Sequence, residues 1–116
     1  MTLAAVLFGI AALGGVVMAI MRLTGRELPP MGLAIVHGLF AASGLVALLV
    51  AVIGANAPTQ ANIAAGGFVL AALGGFFLFS FHLRRKALPV PVVLVHGLVA
   101  VVSFVLLLIG IFAFRA

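Results

Sequence analysis

Cysteine, tryptophan and tyrosine are absent from this sequence, and Glu27 is its only carboxylate. Without cysteine there can be no disulfide, thiolate metal site, iron–sulfur cluster or covalently attached c-type haem. A single acidic residue in a connection, with none inside an apolar run, excludes the membrane-embedded carboxylate on which small proton-coupled drug exporters depend. It also denies a Ser–His–acid constellation its acid, and it denies two histidines the further ligand that a zinc site needs. Without tyrosine or tryptophan there is no aromatic belt to mark bilayer interfaces.

What is present is overwhelmingly apolar. The chain of 116 residues is 67% hydrophobic and only 6% charged, and its mean hydropathy is +1.55. A soluble domain needs far more polar surface than this. Uncharged runs cover 2–21, 28–82 and 87–114, and about 20 apolar residues suffice to cross a bilayer. Backbone groups in lipid must bond within their own segment, so these runs read as helices rather than strands. The expected fold is all-α: a polytopic membrane protein whose four-transmembrane-helix bundle forms one domain over 1–116. The helices are expected near 2–23, 31–55, 61–83 and 90–114. The first run has no basic segment ahead of it and exceeds a usual signal-peptide core, so it reads as a retained helix. The net charge of +5 marks loops facing the cytoplasm and carries no signature of nucleic acid.

The connections are polar and rich in proline. "RLTGRELPP" (22–30) and "HLRRKALPVP" (82–91) are basic, while "NAPTQAN" (56–62) is uncharged. The positive-inside rule places 22–30 and 82–91 in the cytoplasm and both termini outside, in a bacterial-type inner membrane. Arg115 is the one basic residue on the other side of that balance.

The sequence also repeats itself. "AAVLFGIAALGG" (4–15) aligns with "AAGGFVLAALGG" (64–75) at an offset of 60, and Leu23, Leu28 and Pro29 match Leu83, Leu88 and Pro89. One residue is lost after the proline, so that "VHGL" (36–39) matches "VHGL" (95–98) at an offset of 59. The chain reads as two tandem helical hairpins, near 2–55 and 61–114. Each hairpin holds an even number of helices, so both copies enter the membrane in the same direction, related by a pseudo-two-fold axis along its normal. Short connections favour an up-down-up-down bundle, which sets the second and fourth helices on a diagonal.

This arrangement brings His37 and His96 to one depth. Each lies about six residues into its helix, about 9 Å at a rise of roughly 1.5 Å per residue. Gly15 lies seven residues before the end of its helix at Arg22, and Gly75 seven before His82, about 10 Å from the same side. The glycine pairs Gly14–Gly15 and Gly74–Gly75 therefore fall at the histidine level. His37, Ala41 and Gly44 share a helical stripe, as do His96, Ala100 and Ser103.

Two imidazoles at equal depth on diagonal helices are what a bis-histidine haem b needs. His37 and His96 are then its axial ligands. Gly14, Gly15, Gly74 and Gly75 would give clearance, and Arg22, Arg84 and Arg85 would hold propionates. With these residues the sequence resembles, in architecture, small four-helix b-type cytochromes of bacterial membranes. The resemblance implies a haem-carrying redox carrier or anchor subunit that passes electrons between a membrane quinone and a partner protein. Many such proteins carry further membrane histidines for a second haem. Here the other histidine, His82, has Arg22 as its repeat equivalent and so has no symmetric partner.

Each feature also has a plainer reading. Intramembrane histidines can lock helices together, and small residues around them are an ordinary mark of tight helix packing. The basic loops can serve topology alone, and His82 can be a solvated interfacial residue. Ser43, Ser80 and Ser103 are expected to bond to their own helix backbone. A non-catalytic membrane scaffold or accessory subunit is therefore the alternative, and whether the chain is an enzyme stays open at this point.

Overall fold

The computed structural model describes residues 1–54 and 56–113, which form four helices: α1 (Thr2–Leu23), α2 (Met31–Gly54), α3 (Thr59–Arg84) and α4 (Val90–Ala113). All four are long and apolar enough to cross a membrane. Three of them start directly after a proline. The carbonyl of Pro30 accepts from the Ala34 N–H at 3.2 Å, that of Pro58 from Asn62 at 3.2 Å, and that of Pro89 from Val93 at 3.0 Å. A proline lacks an N–H that a helix start would leave unpaired, and its fixed φ suits the position. Hence α3 begins at Thr59, two residues ahead of the expected 61, because Pro58 with φ −57° already opens the turn. The helix also runs one residue past its expected end, to Arg84. Position 55, the expected end of α2, and positions 114 and 115, with the expected end of α4 and the topological vote of Arg115, lie outside the described residues.

The helices run up and down around a ring. α1 packs on α2 and on α4, and α3 packs on the same two neighbours, leaving α1/α3 and α2/α4 as diagonals. The bundle measures 46 × 20 × 19 Å. One end carries the start of α1, the end of α4 and the α2–α3 connection. The other carries the connections with Arg26, Glu27, Arg85 and Lys86, and is called the cationic end below.

The core is thin and built largely of small residues. Ala4, Ala11, Ala34, Ala61, Ala64, Ala65 and Ala71 are buried, whereas Leu13, Ile53, Phe76 and Phe112 face outward. Where lipid is as apolar as the protein interior, helices associate by close packing, and alanine permits close approach. Towards the terminal end, Ala4, Phe8, Leu48, Ala64, Phe68 and Leu107 form one cluster. Its centre is Phe8 stacked face to face on Phe68, with centroids 3.7 Å apart and planes 5° from parallel. Gly44 makes room for this stack, because a Cβ there would lie 3.1 Å from the Phe8 ring. At the cationic end, Leu78, Leu88 and Val93 form a second cluster.

The two cationic connections close in the same way. The Arg26 N–H bonds the Met21 carbonyl at 2.9 Å, and the Lys86 N–H bonds the Phe81 carbonyl at 2.9 Å. The residue ahead of each donor is left-handed, Gly25 at φ 111° and Arg85 at φ 54°. The two connections also touch each other. The Leu88 N–H donates to the Glu27 carbonyl at 3.0 Å, and Arg22 Nε donates to the Leu88 carbonyl at 2.7 Å.

Candidate functional site

Between the two clusters lies the histidine level. Each imidazole is seated first by its own hairpin. A Cβ on Gly15 would lie 3.0 Å from Cε1 of His37, and one on Gly14 would lie 3.5 Å from its Cβ. The second hairpin does the same: a Cβ on Gly75 would lie 3.3 Å from Cε1 of His96, and one on Gly74 would lie 3.5 Å from its Nδ1. The space left by the four missing side chains is taken up by the rings. Glycine at these positions lets a flat aromatic ring lie against the neighbouring helix backbone.

Glycine also exposes an acceptor. The Ala11 carbonyl is the one to which the Gly15 N–H bonds within α1, and no Cβ at Gly15 shields it. His37 Nδ1 reaches that carbonyl at 2.7 Å. A carbonyl oxygen can only accept, so Nδ1 carries the proton. In the neutral ring Nε2 is then left with its lone pair free. In the second hairpin, the α3 carbonyl that corresponds to Ala11 by the repeat is that of Ala71, facing His96 of α4. The approach does not close a hydrogen bond, and His96 Nδ1 is buried without a partner.

The two rings meet across the bundle. Their centroids are 6.4 Å apart and their planes cross at 80°. Direct hydrogen bonding between two imidazoles would bring the centroids to about 5 Å, from an N···N distance of about 2.9 Å plus about 1.1 Å from nitrogen to ring centre on each side. Two imidazoles on opposite sides of one metal ion would have centroids about 6 Å apart, from two metal–nitrogen bonds of about 2.0 Å and the same ring offsets, and an edge-to-face ring contact spans about 4.5–7 Å. At 6.4 Å and 80° the pair is too far apart for a direct bond, and the distance lies within the span of an edge-to-face contact as well as near that of a shared ion.

The cationic residues spread around this level rather than converging on it. Arg22 is half-buried, with Nε committed to the Leu88 carbonyl. Arg84 is exposed and turned back along its own helix. Its Nη2 donates to Ser80 Oγ at 3.1 Å, and its guanidinium carbon lies 4.4 Å over the Phe81 ring. Arg85 is exposed on the outer turn. His82 departs from the solvated reading: it is 5% exposed, stacks near Phe79 at 6.0 Å, and its Nδ1 has no partner. By the repeat its equivalent is Arg22, and nothing in the sequence marks it as turning inward. Ser80 and Ser103 bond back to the carbonyls of Phe77 and Val99, at 2.5 and 2.7 Å, while Ser43 faces outward.

A recess of about 900 Å³ lies at the other end of the bundle from the histidines, between the start of α1, the end of α4 and the α2–α3 connection, lined among others by Thr2, Val6, Pro58, Leu108 and Ile111. No group of three or more metal-ligating side chains occurs among the described residues. The histidine level brings together two imidazoles, one from each hairpin. Comparisons with protein families, with curated proteins and with solved structures return no match.

Proposed function

We propose that this chain is a multi-pass protein of a bacterial-type inner membrane, a duplicated helical hairpin that holds one haem b between His37 and His96. It would serve as a redox carrier or anchor subunit between a membrane quinone and a partner protein. The observation that carries this reading is that the two repeat-related imidazoles meet at one level of the bundle, with centroids 6.4 Å apart, close to the roughly 6 Å that two imidazoles on opposite sides of one metal would span. The bond from His37 Nδ1 to the Ala11 carbonyl supports it. Ligating histidines characteristically donate their second nitrogen to a carbonyl, which fixes the tautomer and raises ligand basicity. When bound, the haem would supply one-electron chemistry, and the protein would set its position and potential. Arg22, half-buried at the cationic end, is the cation nearest in kind to a propionate partner. Arg84 and Arg85 face outward.

A second reading has its own observation. Gly14, Gly15, Gly74 and Gly75 fit the imidazoles closely, as they would in a scaffold whose histidines lock helices together. The two readings part on colour. The test is the dithionite-reduced minus oxidised visible spectrum of the purified protein, expressed with ample haem. A b-type α band that vanishes in His37→Ala and in His96→Ala supports the cytochrome. A colourless, fully helical protein sinks it and leaves the scaffold.

A further inference from the structure

The two cationic connections share a backbone and differ in what they present. Gly25 and Arg85 stand at equivalent places in the repeat, inside the same closure and both left-handed. Glycine adopts that conformation freely, whereas a residue with a Cβ is strained there. The second hairpin thus holds an arginine where the first holds the residue that the backbone prefers. Arg84 and Lys86 flank it, and all three are exposed.

Arg84 adds an independent observation. It bonds to the backbone and side chain of Ser80, so its guanidinium is drawn about one turn back along the helix, or about 5 Å. Leu73, Phe77, Ser80 and Arg84 are spaced i, i+4, i+7 and i+11, so they share one outward stripe. Leu73 and Phe77 on it are 61% and 51% exposed. A cation held against an apolar stripe needs a counter-charge, and the whole chain offers only Glu27 to five cations at this end.

We infer that the end of α3 is a binding site for an anionic phospholipid. Arg84, Arg85 and Lys86 take the head-group phosphate, and Leu73 and Phe77 line the path of an acyl chain. Arginine and lysine are the natural partners of phosphate oxygens, and basic clusters beside a transmembrane helix recognise anionic head groups. The apolar stripe running from the cations distinguishes an amphiphile from free phosphate. The inference rests on the bilayer part of the reading above and is independent of the haem.

The test uses the full chain in phosphatidylcholine vesicles, with spin-labelled phosphatidylglycerol or phosphatidylcholine as probe. The motionally restricted fraction reports lipid held at the protein surface. The wild type is expected to hold the phosphatidylglycerol probe in preference, undisturbed by millimolar inorganic phosphate. Arg85→Gly is expected to weaken that association about fivefold, the worth of one cation near an anionic surface, with the phosphatidylcholine probe unchanged. The same variant should unfold at a higher temperature, because the strain at position 85 is relieved. Four results overturn the site. They are equal association in wild type and Arg85→Gly, displacement by inorganic phosphate, an equal loss with Arg26→Gln (a diffuse charge effect), and a lower unfolding temperature for Arg85→Gly, which would make Arg85 structural. A chain that does not enter vesicles overturns the bilayer reading itself, whatever its optical spectrum.

Discussion

His37 and His96 face each other across the bundle with centroids 6.4 Å apart and planes at 80°, although 59 residues separate them in the chain. Ligands of one metal act as a unit, and their removal is not additive. His37→Ala, His96→Ala and the double variant should therefore lose the haem b spectrum to the same extent. A residual band of half intensity in either single variant would argue against a shared iron.

If a haem sits between the histidines as proposed, Arg22 offers a second handle on it. Its charge, if held near a propionate, stabilises the reduced state relative to the more positive oxidised one. Arg22→Met should lower the midpoint potential in a redox titration, while Arg84→Met, whose side chain faces outward, should leave it nearly unchanged. Equal shifts for both would remove Arg22 from the site.

The glycines divide into two classes by what a Cβ would meet. At Gly15 it would meet His37 Cε1 at 3.0 Å, whereas at Gly38 nothing lies within 4 Å. Gly15→Ala should displace the imidazole and weaken haem retention. Gly38→Ala should be neutral or stabilise the helix by about 0.5–1 kcal/mol. Thermal unfolding of the haem-loaded protein and its haem content separate these outcomes.

Gly67 and Ser103 form a coupled pair. A Cβ on Gly67 would overlap Ser103 Oγ, and that hydroxyl is already bonded to the Val99 carbonyl. Gly67→Ala should destabilise the bundle by about 1–3 kcal/mol, as overpacking does. Adding Ser103→Ala should restore most of the loss. A double variant no better than the single would show that backbone, not the hydroxyl, sets the limit.

The Phe8–Phe68 stack tests the packing at the terminal end. In lipid the transfer term of a buried phenylalanine largely cancels, and the ring pair is what remains. Phe8→Leu and Phe68→Leu should each cost about 0.5–1.5 kcal/mol, and the double variant little more than one of them. Denaturation in mild detergent measures this directly. Additive losses would show that the rings pack on their surroundings rather than on each other.

The sequence announces its helices because so little interrupts them. Three uncharged runs, with prolines ahead of α2 and α4, leave few alternatives, whereas α3 starts two residues early because Pro58 opens its first turn inside a polar connection and ends one residue late because it continues to its left-handed cap. The approach of His37 to His96 is legible too, since equal depth on diagonal helices follows from repeat register and connection length. What the sequence hides is which neighbour each polar atom finds. The acceptor for His37 is a backbone carbonyl that every residue possesses, and only the glycine one turn on makes it reachable. His82 turns inward through packing against Phe79, a relation between side chains with no counterpart in the first hairpin. The outward turn of Arg84 depends on Ser80, one turn back, and on the ring of Phe81.

The fastenings of this bundle are unevenly distributed. At the cationic end, the bonds of Leu88 with Glu27 and Arg22 tie one hairpin to the other. At the opposite end, the chain itself joins α2 to α3. Among the described residues the junction of α1 with α4 near this end has neither, and there the recess opens between Thr2, Val6, Leu108 and Ile111. The barrel thus has a seam. There α1 and α4 are held by packing alone among the described residues, so local opening of the bundle should begin there rather than at the tied cationic end.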